Sequence, residues 1–162
     1  MSLVSTAYIG LGSNLKNPQE QIQSALQNLN LHPGIQVDKT SGLWCSKPLG
    51  PQDQPDFINA VTRVNTSLCP DQLLVALKSI EQRQNRIKDR HWGPRTIDLD
   101  ILLFDDISFS SKTLTIPHIE MTLRNFVLLP LQQLAPNTLI KGKTLGYWID
   151  RTDLSLISEF QD

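Results

Sequence analysis

Asp98 and Asp100 sit two residues apart in RHWGPRTIDLDILLFDD, residues 90–106, and alternate there with Ile97, Leu99, Ile101 and Leu103. Alternation of this kind reads as a strand with both carboxylates on one face, about 6.6 Å apart by the strand rise. Two like charges that close shift each other's pKa unless a cation neutralises them. An all-oxygen pair suits a hard ion such as Mg2+, which takes one or two carboxylates and completes its shell with water and phosphate. D-x-D alone is common and equally at home on a solvated sheet face. The charge upstream gives it weight: residues 78–95 hold six basic residues (Lys78, Arg83, Arg86, Lys88, Arg90, Arg95) against two acidic ones, Glu81 and Asp89. Metal carboxylates beside an arginine cluster are what a polyphosphate requires, with the ion bridging phosphate oxygens and guanidiniums forking onto the rest. His118 and Arg124, in IPHIEMTLRNF, can extend the same cradle. No Walker A sequence exists, so the phosphates would not rest on a P-loop.

A second constellation suits a flat ring. Phe57 and Asn59 share one face of a strand, an aromatic to stack on a heterocycle and an amide to hydrogen-bond its edge. Trp92 precedes Gly93-Pro94 in a polar, charged loop, residues 87–94, that is expected to move and close over bound phosphate. Gly10 and Gly12 do not make a dinucleotide fingerprint, because Leu15 stands where the third glycine belongs. They are expected to ease close backbone packing or a turn, with Asn14 as a candidate helix cap.

The elements that must hold these residues follow from periodicity. Residues 5–12 read as a strand. Residues 18–30 read as a helix with Ile22, Ala25, Leu26 and Leu29 on its apolar face, ended by Pro33-Gly34. Residues 35–46 read as a long strand bent at Gly42, and 47–56 as a proline-rich loop. Residues 56–67 form the next strand, whose faces are Phe57, Asn59, Val61, Arg63 and Ile58, Ala60, Thr62, Val64. Pro70 opens a helix with Leu73, Leu77 and Ile80 on one side. The aspartate strand follows, then a small hairpin at 107–116, a short apolar helix in 121–136, and a last helical turn in 144–151. The order β-α-β-β-α-β fits an α+β, ferredoxin-like motif, an antiparallel sheet with helices on one face, and one domain over residues 1–162.

Bulk properties exclude several classes. Hydrophobic residues at 40% and charged residues at 19% belong to a globular chain. Fifteen basic residues oppose sixteen acidic ones, which argues against a basic nucleic-acid coat. The start has no basic leader region, and no stretch approaches the roughly 20 apolar residues of a membrane span. Cys45 and Cys69 make no CxxC or zinc spacing and are expected to be reduced thiols in a cytoplasmic protein.

Four blocks in order, YIGLGSNL (8–15), PLGPQDQPDFINAV (48–61), RHWGPRTIDLDILLFDD (90–106) and IPHIEMTLRNFVLLPL (116–131), together resemble the 6-hydroxymethyl-7,8-dihydropterin pyrophosphokinase family of folate biosynthesis. The likeness runs from about Ala7 to Pro136. It implies a ferredoxin-like fold and transfer of pyrophosphate from ATP to the hydroxymethyl oxygen of the pterin, with release of AMP. By position it implies two Mg2+ ions on Asp98 and Asp100. Arg86, Lys88 and Arg95 would be catalytic. Glu81, Arg86, Trp92, Arg95, His118 and Arg124 would contact the nucleotide, and Ser46, Pro48, Leu49, Phe57, Asn59 and Phe126 the pterin. The partners implied are these two small molecules, with no nucleic acid and no membrane, for a monomer in the cytoplasm. The sequence departs from the resemblance at Lys88, where relatives often have a second arginine, and at Phe57, where they often have tyrosine. Two rivals stay open on the residues alone: a two-metal nucleotidyl- or phosphotransferase with another acceptor, and an RNA-binding module on a ferredoxin-like sheet, which would want aromatics on its central strands.

Overall fold

The computed structural model describes residues 4–15, 17–48, 53–84 and 96–160. In chain order its elements are β1 (Ser5–Ser13), α1 (Pro18–Leu31), β2 (Ile35–Thr40), β3 (Trp44–Ser46), β4 (Phe57–Thr66), α2 (Pro70–Arg83), β5 (Asp98–Phe104), β6 (Phe109–Ser110), β7 (Thr115–Ile116), α3 (Asn125–Leu134), β8 (Leu139–Ile140), β9 (Lys143–Thr144), α4 (Leu145–Ile149) and β10 (Ile157–Glu159). Short 3-10 turns at Met121–Leu123 and Leu154–Leu156 precede α3 and β10.

The main sheet is antiparallel in every pairing and ordered β10-β3-β4-β1-β5, with β2 also paired to β4. Period-two alternation in β1 sends Ala7, Ile9 and Leu11 into one hydrophobic cluster. There they meet Ile22, Ala25 and Leu29 of α1 and Leu73, Leu77 and Ile80 of α2, the apolar stripes legible in the sequence. Proline at the first position starts both helices with its φ already helical.

The expectation of helices on one face is corrected. A second cluster on the opposite face joins Val61 of β4 and Leu102 and Leu103 of β5 to Val127, Leu128, Leu131 and Leu134 of α3 and Leu145 and Ile149 of α4. A bulge makes this possible. Tyr8 pairs with Leu103 but Ile9 with Ile101, so Leu102 is an extra residue and strict alternation fails beyond it. Ile101 and Phe104 stay in the first cluster, while Leu102 and Leu103 both turn to the second.

Two further readings change. The strand over 35–46 is broken rather than bent. Ser41 Oγ accepts from Val61 N at 2.9 Å, and the register on β4 has moved on when Trp44 meets Asn59. Asn14 does not cap α1. The cap position is Asn17, in the left-handed region with φ 60°, and Asn14 Nδ2 instead donates to Gln54 Oε1 (2.9 Å) and Pro55 O (3.0 Å). That pair ties the end of β1 to the loop leading into β4. No helix among the described residues is long and apolar enough to cross a membrane.

Candidate active site

Register assembles the site. β1 lies between β4 and β5, and its Gly12 faces Asn59 on one side and Asp98 on the other. One step along, Gly10 faces Val61 and Asp100. The ring-binding candidates of β4 and the carboxylates of β5 are thus two strand spacings apart, about 10 Å, on the same face. Only glycines separate them. A Cβ on Gly12 would lie 3.2 Å from Asn59 Oδ1 and 3.9 Å from a Phe57 ring carbon, and one on Gly10 would rest on Leu102 at 3.5 Å. Glycine leaves this floor bare: a methyl at Gly12 would press on the Asn59 amide, while one at Gly10 would make ordinary contact with Leu102. Over this floor, and round the β5 edge to α2, opens a cavity of about 520 Å3. Its lining includes Ser46, Phe57, Asn59, Glu81, Asp98 and Asp100, together with His118, Arg124 and Phe126.

The described residues predicted for chemistry therefore meet in one cleft, except Pro48 and Arg83. Pro48 is buried but does not line it. Of the basic run, Lys78 lines the cleft, whereas Arg83 lines a separate shallow depression with His32 and Leu68. Leu49, Arg86, Lys88, Trp92 and Arg95, and the loop expected to close over the phosphates, lie outside the described residues. The sequence reading missed the floor role of Gly10 and Gly12. It also missed the contribution of Ser111–Thr115 in the β6–β7 hairpin, which lines the opposite wall. The glycines were legible as a close-packing signal. The hairpin residues carry no pattern that points to a ligand.

Asn59 is 4% exposed, and its Nδ2 donates to Ser46 Oγ at 2.8 Å. That bond fixes the orientation of the amide, so Oδ1 is the atom turned over the Gly12 floor. The slot thereby presents an acceptor to a ring bearing N–H donors. Phe57 and Phe126 supply apolar surface, and the Arg124 guanidinium sits over the Phe126 ring, 5.7 Å from its centroid.

On the β5 side Glu81, 8% exposed, accepts the Leu99 backbone N–H through Oε2 at 2.8 Å. Leu99 lies between the two aspartates, so α2 holds the acid strand in place through this carboxylate. His118 is fixed from both ends: its N–H donates to Leu102 O at 3.0 Å, and its Nδ1 accepts from Glu120 N at 3.2 Å. An accepting Nδ1 puts the ring proton on Nε2. Burial first, then the positive charge of Arg124, lowers the His118 pKa from its ordinary value, while Glu120 and Asp98 oppose them more weakly. The imidazole is thus a neutral donor. Arg124 pairs with Glu120, four residues before it.

The acid pair fits a hard divalent cation. Its donors are carboxylate oxygens, and the glycine floor leaves room for water and phosphate to complete a shell. An open RNA-binding platform fits poorly, because α3 covers Val61, Leu102 and Leu103 on the face such a platform leaves bare.

A carboxylate pair, flanking donors and an aromatic slot in one cleft suit a small ring-bearing molecule bound beside a cation and an anion. Comparison with known proteins supplies the particular family. The family model described as 7,8-dihydro-6-hydroxymethylpterin-pyrophosphokinase (HPPK) matches residues 8–136, and the chain belongs to this family. It is 47% identical over 140 residues to 2-amino-4-hydroxy-6-hydroxymethyldihydropteridine pyrophosphokinase of Haemophilus influenzae, covering 86% of this chain and 88% of that one. To the protein of the same name from Pseudomonas aeruginosa it is 47% identical over 135 residues, 83% of each chain. Among solved structures, Plasmodium falciparum HPPK-DHPS with pteroate superposes with a TM-score of 0.74 at 16% identity, over 92% of this chain and 42% of that one, a likeness of fold alone.

Proposed function

We propose that this protein catalyses Mg2+-dependent transfer of pyrophosphate from ATP to 6-hydroxymethyl-7,8-dihydropterin, within a ferredoxin-like domain spanning residues 1–162 that acts as a cytoplasmic monomer. One observation carries the reading: the row Asn59–Gly12–Asp98 sets a ring-reading amide and a cation-binding carboxylate either side of a bare glycine. The pterin hydroxymethyl oxygen attacks the β-phosphorus of ATP. The bond from that phosphorus to the oxygen bridging it to the α-phosphate breaks, AMP leaves, and the hydroxyl proton passes to water. The pterin keeps both transferred phosphates.

The residues bind and orient rather than abstract protons, as suits a reaction governed by in-line positioning and charge stabilisation. Phe57 and Phe126 stack on the pterin, and Asn59, aimed by Ser46, accepts from its ring N–H groups. Pro48 and Leu49 back the slot. Asp98 and Asp100 hold Mg2+, two ions in our reading, which would neutralise phosphate charge. His118 Nε2 donates to the nucleotide, and Arg124 exchanges part of its pairing with Glu120 for phosphate oxygen. Glu81 steadies the acid strand and borders the nucleotide. Arg86, Lys88 and Arg95 are assigned to the triphosphate and Trp92 to the nucleotide on the family likeness and their residue chemistry.

Mass analysis of products from MgATP and the reduced pterin tests the reading. AMP together with a diphosphorylated pterin is expected. ADP with a monophosphorylated pterin, or hydrolysis without transfer, would replace it with another phosphotransferase.

A further inference from the structure

The two walls of the ring slot come from separate parts of the fold, Ser46 on the short strand β3 and Phe126 in the first turn of α3. Beyond residue 136, where the family match ends, the chain returns to both walls. Asn125, which lies between Arg124 and Phe126 and is 9% exposed, donates from Nδ2 to Asp153 O at 3.0 Å. Three residues later Leu156 O accepts from Lys47 N at 3.1 Å. β10 then runs antiparallel to β3, with Ile157 opposite Ser46 and Ser158 opposite Cys45. Phe160 N closes the contact on Leu43 O at 2.9 Å, and its ring packs against the first core cluster. Gln133 of α3 reinforces the tie, accepting from Gly42 N at 3.0 Å and donating to Glu159 at 3.4 Å.

We propose that the segment from Asp153 to Phe160 is a brace that sets the separation of the slot's two walls, and that Asn125 is the positioning residue that anchors it. β3 has only three residues, so without β10 it would be a weakly held edge with open backbone groups. Ser46 orients the Asn59 amide, so slack in β3 frees that amide to turn its donor into the slot. The brace acts on the ring side of the cleft. The acid pair on β5, at the other edge of the sheet, is insulated from it by β4 and β1.

This inference rests on the slot being the pterin side, and its test separates the two ideas. Asn125→Leu keeps the side-chain size and helix-forming tendency and loses the donor without adding a charge beside Arg124, so the fold is retained. Ser158→Pro is the second variant. Ladder bonds alternate from the pairs Lys47–Leu156 and Leu43–Phe160, which puts Ser158 on a hydrogen-bonding position that proline cannot serve. Binding of the pterin and of a nonhydrolysable ATP analogue is titrated separately, with Phe126→Ala alongside. Each brace variant is expected to raise the pterin dissociation constant and KM about three- to tenfold, the loss of roughly one hydrogen bond, with analogue affinity and kcat unchanged. Unchanged pterin affinity in the brace variants while Phe126→Ala weakens it would overturn the brace, as would equal weakening of both ligands. Unchanged pterin affinity in Phe126→Ala would overturn the slot assignment itself.

Discussion

Alanine at Gly12 separates the demands of the fold from those of the site. The Gly12 backbone is not in the left-handed region, so alanine meets no conformational bar there. Replacing a strand glycine should stabilise the fold by about 0.5 kcal/mol through the unfolded chain's lost freedom. The added methyl, however, lies 3.2 Å from Asn59 Oδ1, closer than relaxed packing admits, and 3.9 Å from the Phe57 ring. The amide must shift by a few tenths of an ångström, which strains its 2.8 Å bond to Ser46, and the methyl occupies floor that the ring would use. A polar ring edge left without its partner costs about 1–3 kcal/mol, roughly five- to 150-fold in pterin affinity. Calorimetric titration with pterin and with the ATP analogue, beside a thermal melt, gives the three readings. The expected pattern is a folded protein whose pterin binding is weakened more than its analogue binding. A folded Gly12→Ala protein that binds pterin as tightly as the parent would refute the argument that glycine is there to keep the floor clear.

Asp98→Asn and Asp100→Asn should each abolish turnover while the protein still melts as a folded chain; near-normal turnover in either would remove the cation site from β5. Glu81→Gln should keep most of the parent's stability because its amide oxygen can still accept from Leu99 N, whereas Glu81→Ala leaves that N–H without its carboxylate and should cost about 1–3 kcal/mol in urea denaturation; equal stability in the two would mean the bond does not hold β5. His118 is half-buried beside Arg124, Glu120 and Asp98, with a folded pKa below the ordinary 6.5. Between that lowered value and 6.5 the unfolded chain binds more protons, so stability falls as pH drops through this window, at up to about 1.4 kcal/mol per pH unit. Denaturation curves for His118→Asn between about pH 5.5 and 7.5 should show a shallower acid loss, and an unchanged slope would place the titration elsewhere.

The sequence was most legible where periodicity and burial agree. The apolar stripes of α1 and α2 predicted their own packing face, because a helix has one face to bury and these residues filled it. β5 was legible only as far as Ile101. The bulge at Leu102 arises from the pairing with β1, which no local pattern encodes, and it decides which apolar residues meet α3. Asn14 misled for a related reason: an asparagine shortly before a helix is a good cap candidate, but here a tertiary bond to Gln54 outcompetes the local one. At the site, residue types pointed to the chemistry, while the row Asn59–Gly12–Asp98 needed three strands in register to exist. β10 escaped notice because three residues of mixed polarity gain strand form from their partner, not from propensity.

The central claim is that one glycine-floored cleft holds pterin and nucleotide on either side of Gly12, with the cation on Asp98 and Asp100. A crystal structure with Mg2+, a nonhydrolysable ATP analogue and 6-hydroxymethyl-7,8-dihydropterin tests it most directly. The pterin ring is expected against Phe57 and Phe126 with its N–H edge on Asn59 Oδ1, with cation density on both aspartates and the hydroxymethyl oxygen in line with the β-phosphorus. A pterin bound away from Asn59, or a cation that touches neither Asp98 nor Asp100, would contradict it.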